Sequence, residues 1–257
     1  AIECCKHDFI DPILLILSSD HYIQKVNEFR KSIKHSIDLA DLGKLIIFGI
    51  IPSYPATGYG YIKAKNQFKA DIYSEYEVEK FIEKPDLNIA KSFFEDKKYS
   101  WNSGMFVCKA SSILKELSKF TPQIVENCKQ CLSKSIVDLD FLRLDKSSFS
   151  QCPDISIDVA VFEKTKKAYV LPLDCGWDDI GNWESLWNIS RKDLDGNSIK
   201  GNILVKETKR SLIRGEEKLI VSLGLKDVMV IDTKDALLVA NKDFSQEIKE
   251  IVSTLNK

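Results

Sequence analysis

The chain has 257 residues, 44% of them hydrophobic and 29% charged, which suits one large globular domain, or a domain with an appendage, and excludes a disordered chain. Thirty-seven basic residues against thirty-eight acidic ones leave a formal net charge of −1, so no global field draws it to nucleic acid or to an anionic membrane. Any anionic ligand has to be held locally.

The sequence opens at Ala1 without a methionine and offers no strand before the apolar run "PILLIL", Pro12 to Leu17, so Ala1 is not expected to be the natural start. That run is the longest of its kind and far short of the ~20 residues that span a bilayer, and no charged-then-apolar leader precedes it. A soluble, cytoplasmic protein is the expectation. "PILLILSSDH" reads as a buried strand ending in small polar residues and an acid. An amphipathic helix follows, with Ile23, Val26, Phe29, Ile33 and Ile37 as its apolar stripe, and "KLIIFGI" is the next strand. Strand, helix, strand in that order predicts a crossover and a doubly wound α/β sheet, in which ligands collect at the carboxyl ends of strands.

"GYGYIKAK" and "YEVEKFIEKP" then read as strands, "DLNIAKSFFED" as a helix, "WNSGMFVCK" as a strand, and "ASSILKELSKFTPQIVENCKQCLSK" as one or two helices. "SIDVAVFEKT" reads as helix, "KAYVLPLD" as strand and "NWESLWNIS" as the opening of another helix. From about Arg191 the texture changes to short strands cut by Gly, Asp and Lys turns, closing on a helix with apolar Ile248, Ile251, Val252 and Leu255 and an Asp243 or Ser245 cap. The seven cysteines, Cys4, Cys5, Cys108, Cys128, Cys131, Cys152 and Cys175, are an odd number in apolar contexts, which reads as free thiols in a reducing compartment. Cys128 and Cys131 form a lone C-x-x-C in a predicted helix, with no second pair to make a zinc site.

Several residues have the chemistry of a site, each with a structural alternative. Asp20 ends a strand, where it could hold a metal ion or cap the following helix. Three histidines leave little scope for a His-ligated metal, and His21 reads as a loop residue. Gly58 and Gly60 allow a ligand close to the backbone, or mark a β-bulge. Glu83 could accept from sugar hydroxyls and Lys84 could pair with a phosphate, or the two form an exposed ion pair before Pro85. Asn102 offers a donor and an acceptor to a vicinal diol, or sits in a turn beside a buried Trp101. In "GWDDIGNW", Gly176 to Trp183, Asp179 follows a strand and a glycine, and could join Asp20 on a magnesium ion that bridges phosphate oxygens. The alternative is a turn of solvated aspartates with indoles plugging the core.

Taken in order, "ILSSDHYI", "FGIIPSYPATGYGYIKA", "FIEKPDLNIAKSF", "WNSGMFVCK", "SIDVAVFEKT", "GWDDIGNWESLW" and "VIDTKDALLVANKDFSQEIKEIV" resemble the mannose-1-phosphate guanylyltransferases, particularly the bacterial form often fused to a phosphomannose isomerase cupin. The resemblance implies a Rossmann-like nucleotidyltransferase fold, α/β/α with a mixed sheet, over residues 1–190 and a small β-rich segment with a terminal helix over 191–257. It implies the synthesis of GDP-mannose and pyrophosphate from GTP and mannose 1-phosphate. By the same resemblance Asp20 and Asp179 are catalytic and hold Mg2+, and Lys84 meets the sugar phosphate. Tyr59, Gly60, Glu83, Asn102 and Asp158 bind the sugar.

The sequence also departs from that family. Ala56 stands where glutamate is usual, Asn182 where serine is commoner, and nothing matches the glycine-rich loop G-G-x-G-x-R-L-x-P-L-S that cradles nucleotide phosphates. The expectation is therefore a guanylyltransferase lacking its first strand and phosphate loop, inactive alone, with a separate N-terminal chain or a second copy as candidate partners. Two other readings stand beside it: a non-catalytic subunit that binds sugar phosphate or a partner chain, and a nucleotidyltransferase for another hexose 1-phosphate.

Overall fold

A computed structural model describes residues 1–6, 11–69 and 73–255. The expected lack of a strand before Pro12 bears partly on residues 7–10, and the expected last helix includes 256–257; both stretches lie outside the described residues. The chain divides into two compact units, Ala1–Ser19 with Gln24–Cys175, and Asp20–Ile23 with Gly176–Lys257.

The elements come in the order β1 (Ile13–Ile16), β2 (Tyr22–Ile23), α1 (Val26–Asp41), β3 (Leu45–Ile50), β4 (Tyr61–Ala64), β5 (Tyr76–Ile82), α2 (Leu87–Glu95) and β6 (Tyr99–Lys109). They continue with α3 (Ala110–Phe120), α4 (Pro122–Ser133), the hairpin β7 (Ile136–Asp138) and β8 (Phe141–Arg143), α5 (Lys146–Phe149) and β9 (Ala168–Leu173). All of these except β2 belong to the first unit, whose sheet has the order β1-β6-β3-β9-β5-β4. The apolar run of β3 is buried at all six positions, because the strand is covered on both faces. It pairs in parallel with β9 and antiparallel with β6.

The crossover expectation is met in direction but not in adjacency. β1 and β3 are each antiparallel to β6, hence parallel to one another, with β6 lying between them. Gly49 is needed in β3: a Cβ there would run into Ser100 Oγ and Val170 Cγ2 on the neighbouring strands. Pro172 is tolerated within β9 because Leu45 and Ile51 bond to the odd-numbered carbonyls of 167 and 173, so its missing N–H lies on the β5 side. There β5 reaches β9 only at Tyr169 and Val170.

Helix α1 departs from the predicted stripe. Its buried residues are Phe29, Ser32, Ser36, Leu39 and Ala40, while Val26 and Ile37 are exposed. Small serines that bond back to the carbonyls of Glu28 and Ile33 let the helix lie close to the sheet, where Phe29 meets Phe48 edge-on at 5.5 Å. The helix starts at Val26 with Lys25 at its N-cap, which removes the reading of Asp20 as its cap. Pro122 at the first position of α4 separates that helix from α3. The "SID" segment forms one π-helical turn, Asp158–Phe162, whose Ala160, Val161 and Phe162 join the core under the sheet.

The second unit holds β2 and β10 (Trp177–Asp178), paired antiparallel, then α6 (Trp183–Ile189), capped by Asn182, whose Oδ1 accepts from the Ser185 N–H at 2.9 Å. Its remaining strands are β11 (Ser198–Lys200), β12 (Ile203–Lys206), β13 (Leu212–Gly215), β14 (Ile220–Leu223), β15 (Val228–Asp232) and β16 (Leu237–Asn241). The strands are as short as predicted, but they stack in parallel, β11 on β13 on β15 and β12 on β14, so the chain winds in a coil. Gly201, at φ +119°, turns the coil where a Cβ would collide with the Gly215 carbonyl. Leu212, Met229 and Ile231 fill the centre, sealed by Trp183, Trp187, Leu238, Ala240 and Ile248. The closing helix differs from expectation. Asn241 caps a 3₁₀ turn at Lys242–Phe244, Ser245 is buried, and helix α7 (Ile248–Leu255) starts only after them.

Candidate active site

In the first unit, four of the predicted residues come together: Gly60 just before β4, Glu83 just after β5, Asn102 within β6 and Asp158 at the start of the π-helical turn. The register Tyr61↔Ile82 carries Gly60 across from Glu83, and a Cβ on Gly60 would lie 2.9 Å from Glu83 Oε2 and 3.7 Å from Asn102 Cβ. The Asn102 N–H donates to the Gly60 carbonyl at 2.8 Å. The Asn102 amide is held at both ends: Nδ2 donates to Asp158 Oδ1 at 3.1 Å, and Oδ1 accepts from the Gly104 N–H at 3.1 Å. Its flip state is thereby set, leaving one further hydrogen and one further lone pair for a ligand. Burial pushes the Asp158 carboxyl above the ordinary range; the hydrogen bond from Asn102 opposes this and the negative charge of Glu83 adds to it.

Lys84 follows β5 in the left-handed region, at φ +35°, directly before Pro85. Proline disfavours helical backbone in the residue before it, and a non-glycine residue at positive φ is strained, a condition that concentrates at ligand-binding positions. Its Nζ lies 3.4 Å from Glu83 Oε1, and both side chains are largely exposed. The ion pair considered as the alternative is therefore present, and it sits beside Gly60 and Asn102. Tyr59 packs its ring 5.0 Å from that of Trp101, which also meets Tyr54 at 4.9 Å. Tyr54 was not singled out from sequence; an aromatic five residues before Tyr59 in a Pro-rich loop was the signal available.

The second unit carries both aspartates proposed for a metal. The β2–β10 ladder is only two residue pairs long, Trp177↔Ile23 and Asp178↔Tyr22. Continuing that register places Asp179 across from His21, one residue from Asp20. The aspartates thus lie just beyond the same end of one ribbon. Asp20 is exposed and Asp179 half-buried, with its Oδ1 accepting from the Gly181 N–H at 2.9 Å. Asp178 is a different kind of residue: it accepts from the Ile180 N–H at 2.7 Å, and burial raises its carboxyl pKa. Ile180, at φ +51°, bends the chain between the ribbon and α6.

The indoles of "GWDDIGNW" do not share one role. Trp177 donates Nε1–H to His21 Nδ1 at 3.1 Å across the ribbon, whereas Trp183 packs on the coil's core. The loop reading of His21 therefore understated it. Among the described residues, no group of three or more His, Cys, Asp or Glu side chains could enclose a metal. Two carboxylates without a full cage suit a hard ion that keeps waters and takes phosphate oxygens as its other ligands. No helix among the described residues is long and apolar enough to cross a membrane.

The sequence matches the family described as Nucleotidyl transferase over residues 1–196, and the MannoseP isomerase/GMP-like beta-helix domain over residues 201–255. It is 45% identical over 252 residues to a mannose-1-phosphate guanylyltransferase of Escherichia coli, a match covering 98% of this chain and 54% of the relative. It is 44% identical over 250 residues to mannose-1-phosphate guanylyltransferase RfbM of Salmonella typhimurium, covering 97% and 52%. Among solved structures, mannose-1-phosphate geranyltransferase from Thermus thermophilus superposes with a TM-score of 0.82 at 26% identity, over 98% of this chain and 72% of that one. Mannose-6-phosphate isomerase from Helicobacter pylori gives a TM-score of 0.57 at 33% identity, over 65% and 64%. The chain spans about half the length of the curated relatives it matches. The resemblance read from the motifs is borne out, as is the mixed α/β fold followed by a β-rich segment.

Proposed function

Because the chain belongs to the nucleotidyl transferase family, we propose that it serves a mannose-1-phosphate guanylyltransferase, which makes GDP-mannose and pyrophosphate from GTP and mannose 1-phosphate. The observation that carries this reading is the convergence of Gly60, Glu83, Asn102 and Asp158 beside the strained Lys84. Glu83 accepts from hexose hydroxyls, Asn102 donates and accepts with its amide fixed by Asp158, and Gly60 leaves room for the ring beside Tyr59. Lys84 exchanges part of its pairing with Glu83 for the sugar phosphate. Chemically, an oxygen of that phosphate attacks the α-phosphorus of GTP in line, the bond to the β-phosphate bridge breaks, and pyrophosphate leaves. Positioning is the protein's main contribution, since no covalent intermediate is needed.

Asp20 and Asp179 would hold Mg2+, and the donor set fits: two carboxylate-bearing residues at one ribbon end, with no thiolate or imidazole cage among the described residues to favour zinc. When bound, the ion supplies neutralisation of charge on the transferring phosphoryl group. A cytoplasmic location accords with seven free cysteines. For domain organisation we keep the sequence division 1–190 and 191–257, which the family limits at 196 and 201 support, while the spatial division falls after Cys175 and gives Asp20–Ile23 to the second unit.

The test is a pair of binding titrations on Lys84→Ala. Affinity for mannose 1-phosphate should fall at least ~10-fold, the loss of one charge-assisted contact, while GTP binding is unchanged. Equal losses for both ligands, or none for the sugar phosphate, would refute the assignment.

A further inference from the structure

The C-x-x-C of α4 takes no part in the site described above, and its two thiols have different partners. Cys131 is buried at 1% exposure, and its Sγ donates to the Asp145 carbonyl at 3.3 Å, just before α5. Cys128 meets a cysteine distant in sequence instead: its thiol donates to the sulfur of Cys152, beyond the end of α5. The pairing that the motif suggests is therefore not the one the fold brings together.

Hydrogen bonds on either side hold Cys128 and Cys152 together. One residue before each, the buried Asn127 donates Nδ2–H to the Gln151 carbonyl at 2.7 Å. The Cys152 N–H donates to the Phe149 carbonyl at 3.0 Å, and α5 is itself capped by Asp145, whose Oδ2 accepts from the Ser148 N–H at 2.8 Å. Two sulfurs in hydrogen-bond contact on backbones fixed in this way are within side-chain rotation of the ~2.05 Å bond of a disulfide. Both cysteines stay partly exposed, unlike Cys108, Cys131 and Cys175, so a small oxidant can reach them. Burial, with the Cys152 sulfur beside it, pushes the Cys128 thiol up. Cys128 is thereby kept protonated, which leaves Cys152 to react first.

We propose that Cys128 and Cys152 are a reversible redox pair, which closes to a disulfide when the chain meets hydrogen peroxide and reopens with a thiol reductant. The Cys152 thiolate attacks one peroxide oxygen, the O–O bond breaks, and the other oxygen takes up a proton and leaves as water, so that Cys152 becomes a sulfenic acid. The Cys128 sulfur then attacks the Cys152 sulfur and the S–O bond breaks. The Cys128 proton departs with the hydroxide as a second water. The two thiols give up two electrons, and the peroxide takes them. The new bond closes a loop that holds β7, β8 and α5, and ties α4 to the segment that runs on to the Asp158 turn. It is independent of which nucleotide or sugar the protein uses.

Mass spectrometry tests it, on the purified chain treated briefly with hydrogen peroxide, alkylated and digested without reductant. A peptide joining Cys128 to Cys152 should be the main cross-link, and each chain should lose two of its seven titratable thiols. Dithiothreitol should restore them. Cys128→Ser should abolish the cross-link and leave a Cys152 sulfenic acid that dimedone traps, whereas Cys131→Ser should leave the cross-link intact. In Cys152→Ser, dimedone labelling of Cys128 should be at least ~10-fold slower than that of Cys152 in Cys128→Ser. Circular dichroism melting serves as the fold control, and the digest of the parent chain needs no variant. A main cross-link between Cys128 and Cys131, labelling of Cys128 as fast as that of Cys152, or oxidation to sulfinic acid without a bond to Cys152 would each overturn the proposal.

Discussion

The two units solve the burial problem in opposite ways. The first interleaves strands that are far apart in sequence, so β3 at residues 45–50 sits between β6 and β9 and is dry on both faces. The second winds alternate short strands onto one another, leaving a narrow centre of Leu212, Met229 and Ile231 that needs two indoles to close it. In the first unit, then, the site residues are fixed by one continuous sheet, Gly60 before β4, Glu83 after β5 and Asn102 inside β6. In the second, the two aspartates depend on a ladder of two residue pairs and one Trp177–His21 hydrogen bond.

If that contrast is right, truncation inside the coil should be the more damaging change. Met229→Ala is expected to cost about 2–5 kcal/mol, since so small a core has little to collapse into the space. Denaturation followed by tryptophan fluorescence measures it, and a cost under about 1 kcal/mol would show that the coil's centre is not its anchor.

Close packing in the first unit is probed by adding an atom group instead. Gly49→Ala forces a methyl against Ser100 and Val170, at a cost of about 1–3 kcal/mol. A neutral result would mean that the sheet yields more readily than its burial indicates.

Helix capping is a smaller matter. Asn182→Ala removes the acceptor for the Ser185 N–H and should cost ~1 kcal/mol, with fluorescence of Trp183 reporting a frayed start to α6. Restoration by Asn182→Ser would confirm that the cap, not the amide, is what matters.

The least of these effects lies in a pH slope. Because the folded protein raises the Asp158 pKa, the folded state holds that proton to higher pH than the unfolded chain. The stability involved is complete below the unfolded carboxyl value near ~3.9, and is lost as pH rises through the folded value. Asp158→Asn should therefore raise the melting temperature at pH 7 and make no difference near pH 3. A gain that grows toward acid would reverse the sign and refute the burial argument.

Much of this could be seen without coordinates. Most strands and helices from Ile13 to Ile189 follow local apolar patterns, β2, β7, β8 and α5 being among those the pattern did not show, and Gly60 and Glu83 flank strands where ligands gather in such sheets. Other features were hidden. Ser32 and Ser36 face the sheet because a close approach favours small residues over a continuous apolar stripe, and periodicity rewards only the stripe. Asp20 looked like a cap because β2, two residues long, is too short to announce itself.

The sequence alone determined the chemistry at hand: which segments are apolar enough to be strands, where carboxylates and a lysine end them, and the order of motifs that marks the family. Only the tertiary structure decided that β6 enters between β1 and β3, that β11, β13 and β15, and β12 and β14, stack in parallel, and that Asp158 reaches Asn102 across 56 residues. Such pairings draw their free energy from shared burial between distant segments, and that free energy belongs to neither segment by itself.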